Sequence, residues 1–314
     1  MLKDRLRTSA ILITIIAALL YLDGHHSIRG AEGLWLLPLL LFFTVGTASD
    51  MSSLLSKSGR LISRRTTILA AAIVTLSACV PLVWPLVGSQ YPADCPIGRL
   101  GWIVAGAITS VFLVIGAEMR VYGKGPAGAI ERTSLGVFVS LYVGLPMALM
   151  VALRSLGDGN WGLAALLTTI AVTKSTDAGA YFTGKSIGRN KLIPRLSPGK
   201  TWEGAVGGIL TATLVAFVCL QWLFPAISGG GSPPLAAPSI AILAQPVWGA
   251  ICLGPLLAVS GMIGDLAESL VKRDCDAKDS GNLLPGLGGV WDVTDSLIAA
   301  VLPAFLCFAA GVGG

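Results

Sequence analysis

The chain has 314 residues, of which 54% are hydrophobic and 12% charged, and its mean hydropathy is +0.78. A water-soluble core of this size cannot hide so much apolar surface, which excludes an ordinary soluble enzyme and makes lipid the solvent for most of the chain. The formal net charge of +5 suits an anionic lipid or a nucleotide; no nucleic-acid-binding pattern accompanies it, so no nucleic-acid partner is expected.

Apolar stretches near the ~20 residues needed to cross a bilayer recur along the chain. They predict an all-α, polytopic integral membrane protein with about nine spans, at 8–22, 33–48, 67–88, 100–117, 134–153, 161–176, 205–226, 247–264 and 296–312. The first follows Lys3, Arg5 and Arg7, but Tyr21, Leu22 and Asp23 offer no small-residue cleavage site, so it reads as a span and not as a removed signal peptide. With the N-terminus inside, the inner segments collect 19 of the 22 lysines and arginines, leaving Arg29, Arg99 and Arg154 outside. That asymmetry predicts a cytoplasmic N-terminus and an external C-terminus, and the expected location is the cell inner (plasma) membrane, spanned several times. The uncharged, Gly/Pro-rich stretch 228–238 reads as an outer loop. The six cysteines are scattered through apolar runs without metal-ligand spacing and read as ordinary membrane residues. Two regions are expected: N-terminal membrane helices over 1–160, and C-terminal helices over 161–314 that carry cytoplasm-facing catalytic motifs.

Charge concentrates in two inner segments. Residues 174–204 and 264–295 hold nine of the 17 acidic residues and nine of the 22 basic ones. Ionisable groups at a membrane edge are costly to keep, so a dense mixture of both signs points to a site and not to a solvated loop. In the first segment, Gly179–Ser186 (GAYFTGKS) matches the letters of a Walker A phosphate loop. A true phosphate loop needs a preceding strand and a parallel sheet around it, which cannot fit between two spans. A glycine-rich loop bearing Lys185 that touches phosphate remains compatible with the letters. Further on, Ser197–Gly204 (SPGKTWEG) leads into a span, offering hydroxyls, Lys200 and free amides near a helix start, where an anion is favoured. Thr201 is also the expected cap of that helix.

The second segment carries most of the chemistry. If the helix of span 247–264 continues past Asp265, then Asp265, Glu268, Ser269 and Lys272 share one face at i, i+3, i+4 and i+7. Asp292 and Asp295 stand three apart at the start of the last span. Several carboxylates gathered with Lys272, Arg273 and Lys278 on one membrane surface are what Mg²⁺-dependent phosphoryl or nucleotidyl transfer requires. Carboxylates suit the hard cation, and the basic groups neutralise developing phosphate charge.

The string SLVKRDCDAKDSG at 269–281, followed by PGLGGVWDVTD at 285–295, resembles the signature of the phosphatidate cytidylyltransferases, also called CDP-diacylglycerol synthases. DAGAYFTG at 177–184 and SPGKTWEG at 197–204 resemble two further motifs of that family, in its order and spacing. The resemblance covers roughly residues 170–300. It implies that a phosphatidate oxygen attacks the α-phosphorus of CTP in the lipid bilayer, giving CDP-diacylglycerol and pyrophosphate. Carried over residue by residue, Asp265, Asp292 and Asp295 are the expected Mg²⁺ carboxylates. Lys272, Arg273, Lys278 and Asp279 are expected at the catalytic centre, and Ser197, Lys200, Thr201, Asp177, Glu268 and Ser269 around the substrates. A second, monovalent cation and a homodimer are left open.

The chain departs from the family pattern at Leu287, Val293 and Gly199, where the family carries His, Arg and Lys respectively. Two alternatives stay open at this level: a CTP-dependent lipid kinase of the polyprenol type, and a non-catalytic, degenerate relative. A transporter is disfavoured, because its ionisable residues would sit at mid-span positions on several helices and not on one side.

Overall fold

A computed structural model describes residues 2–92, 94–124, 127–234 and 240–314, with side chains from residue 7 onward. Residues 235–239, the end of the expected outer loop, lie outside the described residues. Among the described residues there are eleven α-helices: α1 (Leu2–His25), α2 (Leu37–Lys57), α3 (Arg64–Ser77), α4 (Val83–Leu86), α5 (Gly98–Val121), α6 (Ala129–Arg154), α7 (Trp161–Ile187), α8 (Trp202–Val218), α9 (Phe224–Ser228), α10 (Pro246–Asp274) and α11 (Trp291–Ala309). A two-stranded antiparallel hairpin, β1 (Lys191–Ile193) and β2 (Ser197–Thr201), stands between α7 and α8.

The all-α membrane architecture expected from hydropathy is present. Seven helices among the described residues are long and apolar enough to cross a bilayer, and α3 with the turn Val80–Leu86, bent by 50°, makes an eighth candidate. Helix α7 occupies the remaining expected position but falls outside that set. Its apolar run is interrupted by Thr168, Thr169, Thr173, Lys174 and Asp177. The three threonines are buried against protein, and a helix sheathed by other helices has no need of a lipid-facing surface.

The described chain divides into two compact units, residues 1–152 with 272–294, and residues 153–271 with 295–314. In the first unit, buried hydroxyl pairs join the helices: Thr44 to Thr75 at 3.1 Å, Ser110 to Ser140 at 3.1 Å and Thr47 to Thr294 at 2.9 Å. Arg132 on α6 donates to both carboxylate oxygens of Glu118 on α5 over 2.6–3.0 Å, so the half-buried guanidinium compensates the buried carboxylate.

In the second unit, α7 and α8 lie against each other through small residues. A β-carbon on Gly207 would stand 2.1 Å from Thr183 Oγ1, and one on Gly179 2.3 Å from Thr211 Oγ1. Where lipid tails remove the hydrophobic drive between helices, close backbone approach of this kind supplies the packing. Helix α10 closes on the same unit. A β-carbon on Gly254 would fall 2.4 Å from the Thr213 Cα of α8, and one on Gly264 2.4 Å from the Asp295 backbone oxygen of α11. Gly264 therefore permits the contact that brings the acidic residues of α10 beside the first turns of α11.

Because the Thr213 Cα and N facing Gly254 are backbone atoms and cannot rotate away, Gly254→Ala should cost about 1–3 kcal/mol and lower the melting temperature in detergent by several degrees. Gly199→Ala should leave it unchanged, since nothing lies within 4 Å of a β-carbon there. Equal melting of the two variants would contradict the packing described.

Candidate active site

The site is assembled from four elements of the second unit. Helix α7 supplies Lys174 and Asp177, the hairpin supplies Ser197 and Lys200, α10 supplies Asp265 and Glu268, and α11 supplies Asp295. The local folding follows from the sequence. Thr201 is extended and its Oγ1 accepts the Gly204 N–H at 3.1 Å, capping α8 as expected. The Glu203 carboxylate accepts the backbone N–H groups of Arg189 at 3.1 Å and Asn190 at 3.2 Å, and the Asn190 side-chain amide at 2.7 Å. Those bonds tie the end of α7 and the entry of the hairpin back onto the start of α8, and thereby fix Lys200.

Carboxylate oxygens of Asp265, Glu268 and Asp295 lie within 4.8 Å of one another. Glu268 and Asp295 are buried, at 2% and 8% exposure, and Asp265 is half-buried. Two lysines stand against the trio. Lys200 Nζ lies 2.5 Å from Asp265 Oδ2. Lys174 Nζ lies 4.0 Å from both Asp295 Oδ1 and Asp177 Oδ2, and donates to Ser296 Oγ at 2.9 Å. Oxygen-only, anionic donors at this spacing are the set a hard divalent cation takes.

A cavity of about 420 Å³ opens beside this centre, within the size range of small-molecule sites. Asp265 and Lys200 belong to its wall, together with Asp177, Lys185, Ser197 and Thr201. Two lysines and two hydroxyls beside a carboxylate trio can hold an anion whose remaining charge a cation neutralises.

Of the three carboxylates that the resemblance assigns to the metal, Asp265 and Asp295 lie together and Asp292 is not among them; Glu268, placed by sequence among the substrate contacts, is the third carboxylate of the group. Asp177, Ser197, Lys200 and Thr201 line the cavity. Ser269 is half-buried on α10, which runs unbroken through Asp274 as the shared-face reading required. Asp292, Lys272, Arg273, Lys278 and Asp279 belong to the first unit. There Asp292 accepts from Lys272 Nζ at 2.9 Å, Ser280 Oγ at 2.8 Å and the Gly289 N–H at 2.7 Å, while Arg273, Lys278 and Asp279 are exposed. The stretch Gly179–Ser186 is helical throughout, so the Walker A letters form no phosphate loop, although Lys185 does reach the cavity wall. Sequence reasoning passed over Lys174. The available signal was a lysine three residues before Asp177 at the end of an otherwise uncharged helical run, a position where an ionisable group is expensive.

The structure thus defines a polytopic membrane protein whose acidic centre, in its second unit, opens on a lysine-bearing cavity. A sequence model of the cytidylyltransferase family matches residues 3–310, nearly the whole chain, and the protein belongs to that family. A phosphatidate cytidylyltransferase of Brucella suis biovar 1 (strain 1330) is 38% identical over 202 residues, 64% of this chain and 66% of its own length. Proteins of the same name from Bacillus subtilis (strain 168) and Haemophilus influenzae (strain ATCC 51907 / DSM 11121 / KW20 / Rd) are each 39% identical, over 169 and 151 residues. Those matches cover 54% and 48% of this chain, and 55% and 47% of the relatives. The chain therefore aligns with just under two thirds of the Brucella relative and about half of the other two.

If Glu203 fixes the hairpin, Glu203→Ala should speed tryptic cleavage after Arg189, Lys191 and Arg195 severalfold in detergent. Mass spectrometry of timed digests checks this, and unchanged cleavage would show that the hairpin is held by other contacts.

Proposed function

We propose that the protein is a phosphatidate cytidylyltransferase of phospholipid biosynthesis, converting CTP and phosphatidate to CDP-diacylglycerol and pyrophosphate. The observation that carries this reading is the Asp265–Glu268–Asp295 trio, with Lys200 beside it, at the edge of a cavity lined by hydroxyls and lysines. The names of the relatives support the choice of substrates.

Asp265, Glu268 and Asp295 would hold Mg²⁺, an ion that neutralises phosphate charge and polarises a phosphoryl oxygen. Lys200 and Lys185 hold phosphate oxygens of the nucleotide from the cavity wall, and Ser197 and Thr201 offer hydroxyl donors. Lys174 offsets the charge of Asp295 and Asp177, so the carboxylates stay close before substrate arrives. A phosphatidate oxygen forms the new bond to the α-phosphorus as the α–β bridging bond breaks and pyrophosphate leaves. That nucleophile is already anionic, so no general base is required, and positioning with charge neutralisation is sufficient. The same reasoning removes the need for a histidine at Leu287. By resemblance, Lys272, Arg273, Lys278, Asp279 and Asp292 also serve the reaction.

In the cell the chain would sit in the inner membrane with a cytoplasmic N-terminus, α7 serving as a protein-sheathed ninth span. The charge distribution supports this orientation. In intact spheroplasts carrying a chain otherwise free of cysteine, an impermeant maleimide should label Ser232→Cys and spare Cys275. Equal labelling would overturn the orientation.

The activity is tested with purified protein in mixed micelles containing phosphatidate and Mg²⁺. Label from [α-³²P]CTP should enter a cytidine-bearing lipid. Transfer of γ-label to a lipid would identify a kinase instead, and an inert wild type would identify a degenerate relative. Asp295→Asn, nearly isosteric, should lower turnover at least ~100-fold, on the scale of losing a principal electrostatic contact in a transition state, with membrane insertion retained. Normal turnover of that variant at saturating Mg²⁺ would remove Asp295 from the site.

A further inference from the structure

A buried carboxylate in the first unit has no part in the chemistry above. Asp50 lies on α2, within a stretch apolar enough to cross a membrane, and is only 8% exposed. An acidic group there is costly unless it is hydrogen-bonded. Its Oδ2 accepts the Val290 N–H at 2.5 Å and the Trp291 N–H at 3.3 Å, the amides that open α11. First-turn amides of a helix lack intrahelical acceptors, and here the cap comes from a residue about 240 positions away instead of from a neighbour.

The surrounding glycines show that this contact is built into the chain. A β-carbon on Gly281 would meet Asp50 Oδ1 at 2.4 Å, and the three atoms nearest to it all belong to Asp50. A β-carbon on Gly289 would lie 2.6 Å from Asp50 Oδ2, and one on Gly46, a turn earlier on α2, 2.7 Å from Val290 Cγ2. Thr47 adds a second grip on the same face, its hydroxyl 2.9 Å from that of Thr294. The loop gripped at Gly281 and Gly289 is the one whose Ser280 and Gly289 donate to Asp292, the partner of Lys272.

We infer that Asp50 is a positioning residue for the transfer reaction: by capping α11 and seating the 280–291 loop, it fixes the Asp292–Lys272 pair. This rests on the reading that Asp292 and Lys272 serve catalysis. Asp50 itself touches no substrate. Removing its acceptor leaves the pair in place on average but free to wander, and misplacement by about 1 Å is enough to cost on the order of 100-fold in rate.

Two readouts test it. Hydrogen–deuterium exchange in detergent reads the seating without reference to activity: Asp50→Leu should exchange severalfold faster over 280–294 and unchanged over α5. Kinetics read the consequence: Asp50→Leu should lose at least ~10-fold in kcat while KM for CTP and phosphatidate stays within about twofold. Asp50→Asn keeps a carbonyl oxygen that can accept the Val290 N–H, and should recover most of that loss. If Asp50→Leu fails to insert, Gly281→Ala carries the test, because it displaces the carboxylate without removing it, and it should show the same pattern in both readouts. Unchanged exchange over 280–294 overturns the inference whatever the activity, as does wild-type kcat in either disruptive variant. Equal loss in Asp50→Asn and Asp50→Leu would assign the effect to charge and overturn it too. A wild type inert toward CTP would sink the proposed function and leave the exchange result to decide the seating.

Discussion

Three carboxylates held within 4.8 Å of one another, two of them buried, repel in a way that folding alone does not favour. Much of the second unit can be understood as the means of tolerating that repulsion. Lys200 contacts Asp265 and Lys174 stands between Asp295 and Asp177, so each flank of the trio carries a compensating cation. The remaining negative charge is what a divalent cation would take up. The cluster exists at all because Gly264 presents no β-carbon to the Asp295 backbone.

The same economy of small residues recurs wherever this protein brings chemistry together. Glycines let α7 and α8 touch, and that contact sets where the hairpin leaves α7 and re-enters α8. The hairpin is only two short strands, but Thr201 caps the helix that follows it and Glu203 holds its entry, so Lys200 is delivered by a hairpin whose flanking backbone amides are bound by those two side chains. In the first unit the arrangement is repeated with a different partner, glycines at 46, 281 and 289 admitting the Asp50 carboxylate to the start of α11.

Local features of this site were legible in the sequence, and long-range ones were not. The Thr201 cap follows from its place just before the apolar run of α8, and the shared face of Asp265, Glu268, Ser269 and Lys272 follows once α10 continues past Asp265, whereas the grouping of Asp265 with Asp295 came only from the family's motifs, which placed Asp292 beside them as well. Helix α7 was legible as an apolar run, but its extension to Ile187 was not, because the glycines at 179 and 184 read as a loop until α8 is there to pack against them. Hydropathy likewise treats Lys174 as the edge of a span, whereas the structure makes it a partner of Asp295. Asp50 is the extreme case: nothing near it in sequence needs a carboxylate, and its acceptor role appears only once α2 meets residues about 240 positions further on.

The proposed chemistry depends most directly on the trio being a cation site. Titration of the purified protein with Mn²⁺ in detergent, followed by electron paramagnetic resonance, measures that property without nucleotide or lipid. The wild type should bind the ion, and Glu268→Gln, which removes one charge from the buried centre, should weaken binding at least ~10-fold, the equivalent of about 1.4 kcal/mol. Binding of equal strength in the two proteins would contradict the assignment of Asp265, Glu268 and Asp295 as the cation's ligands.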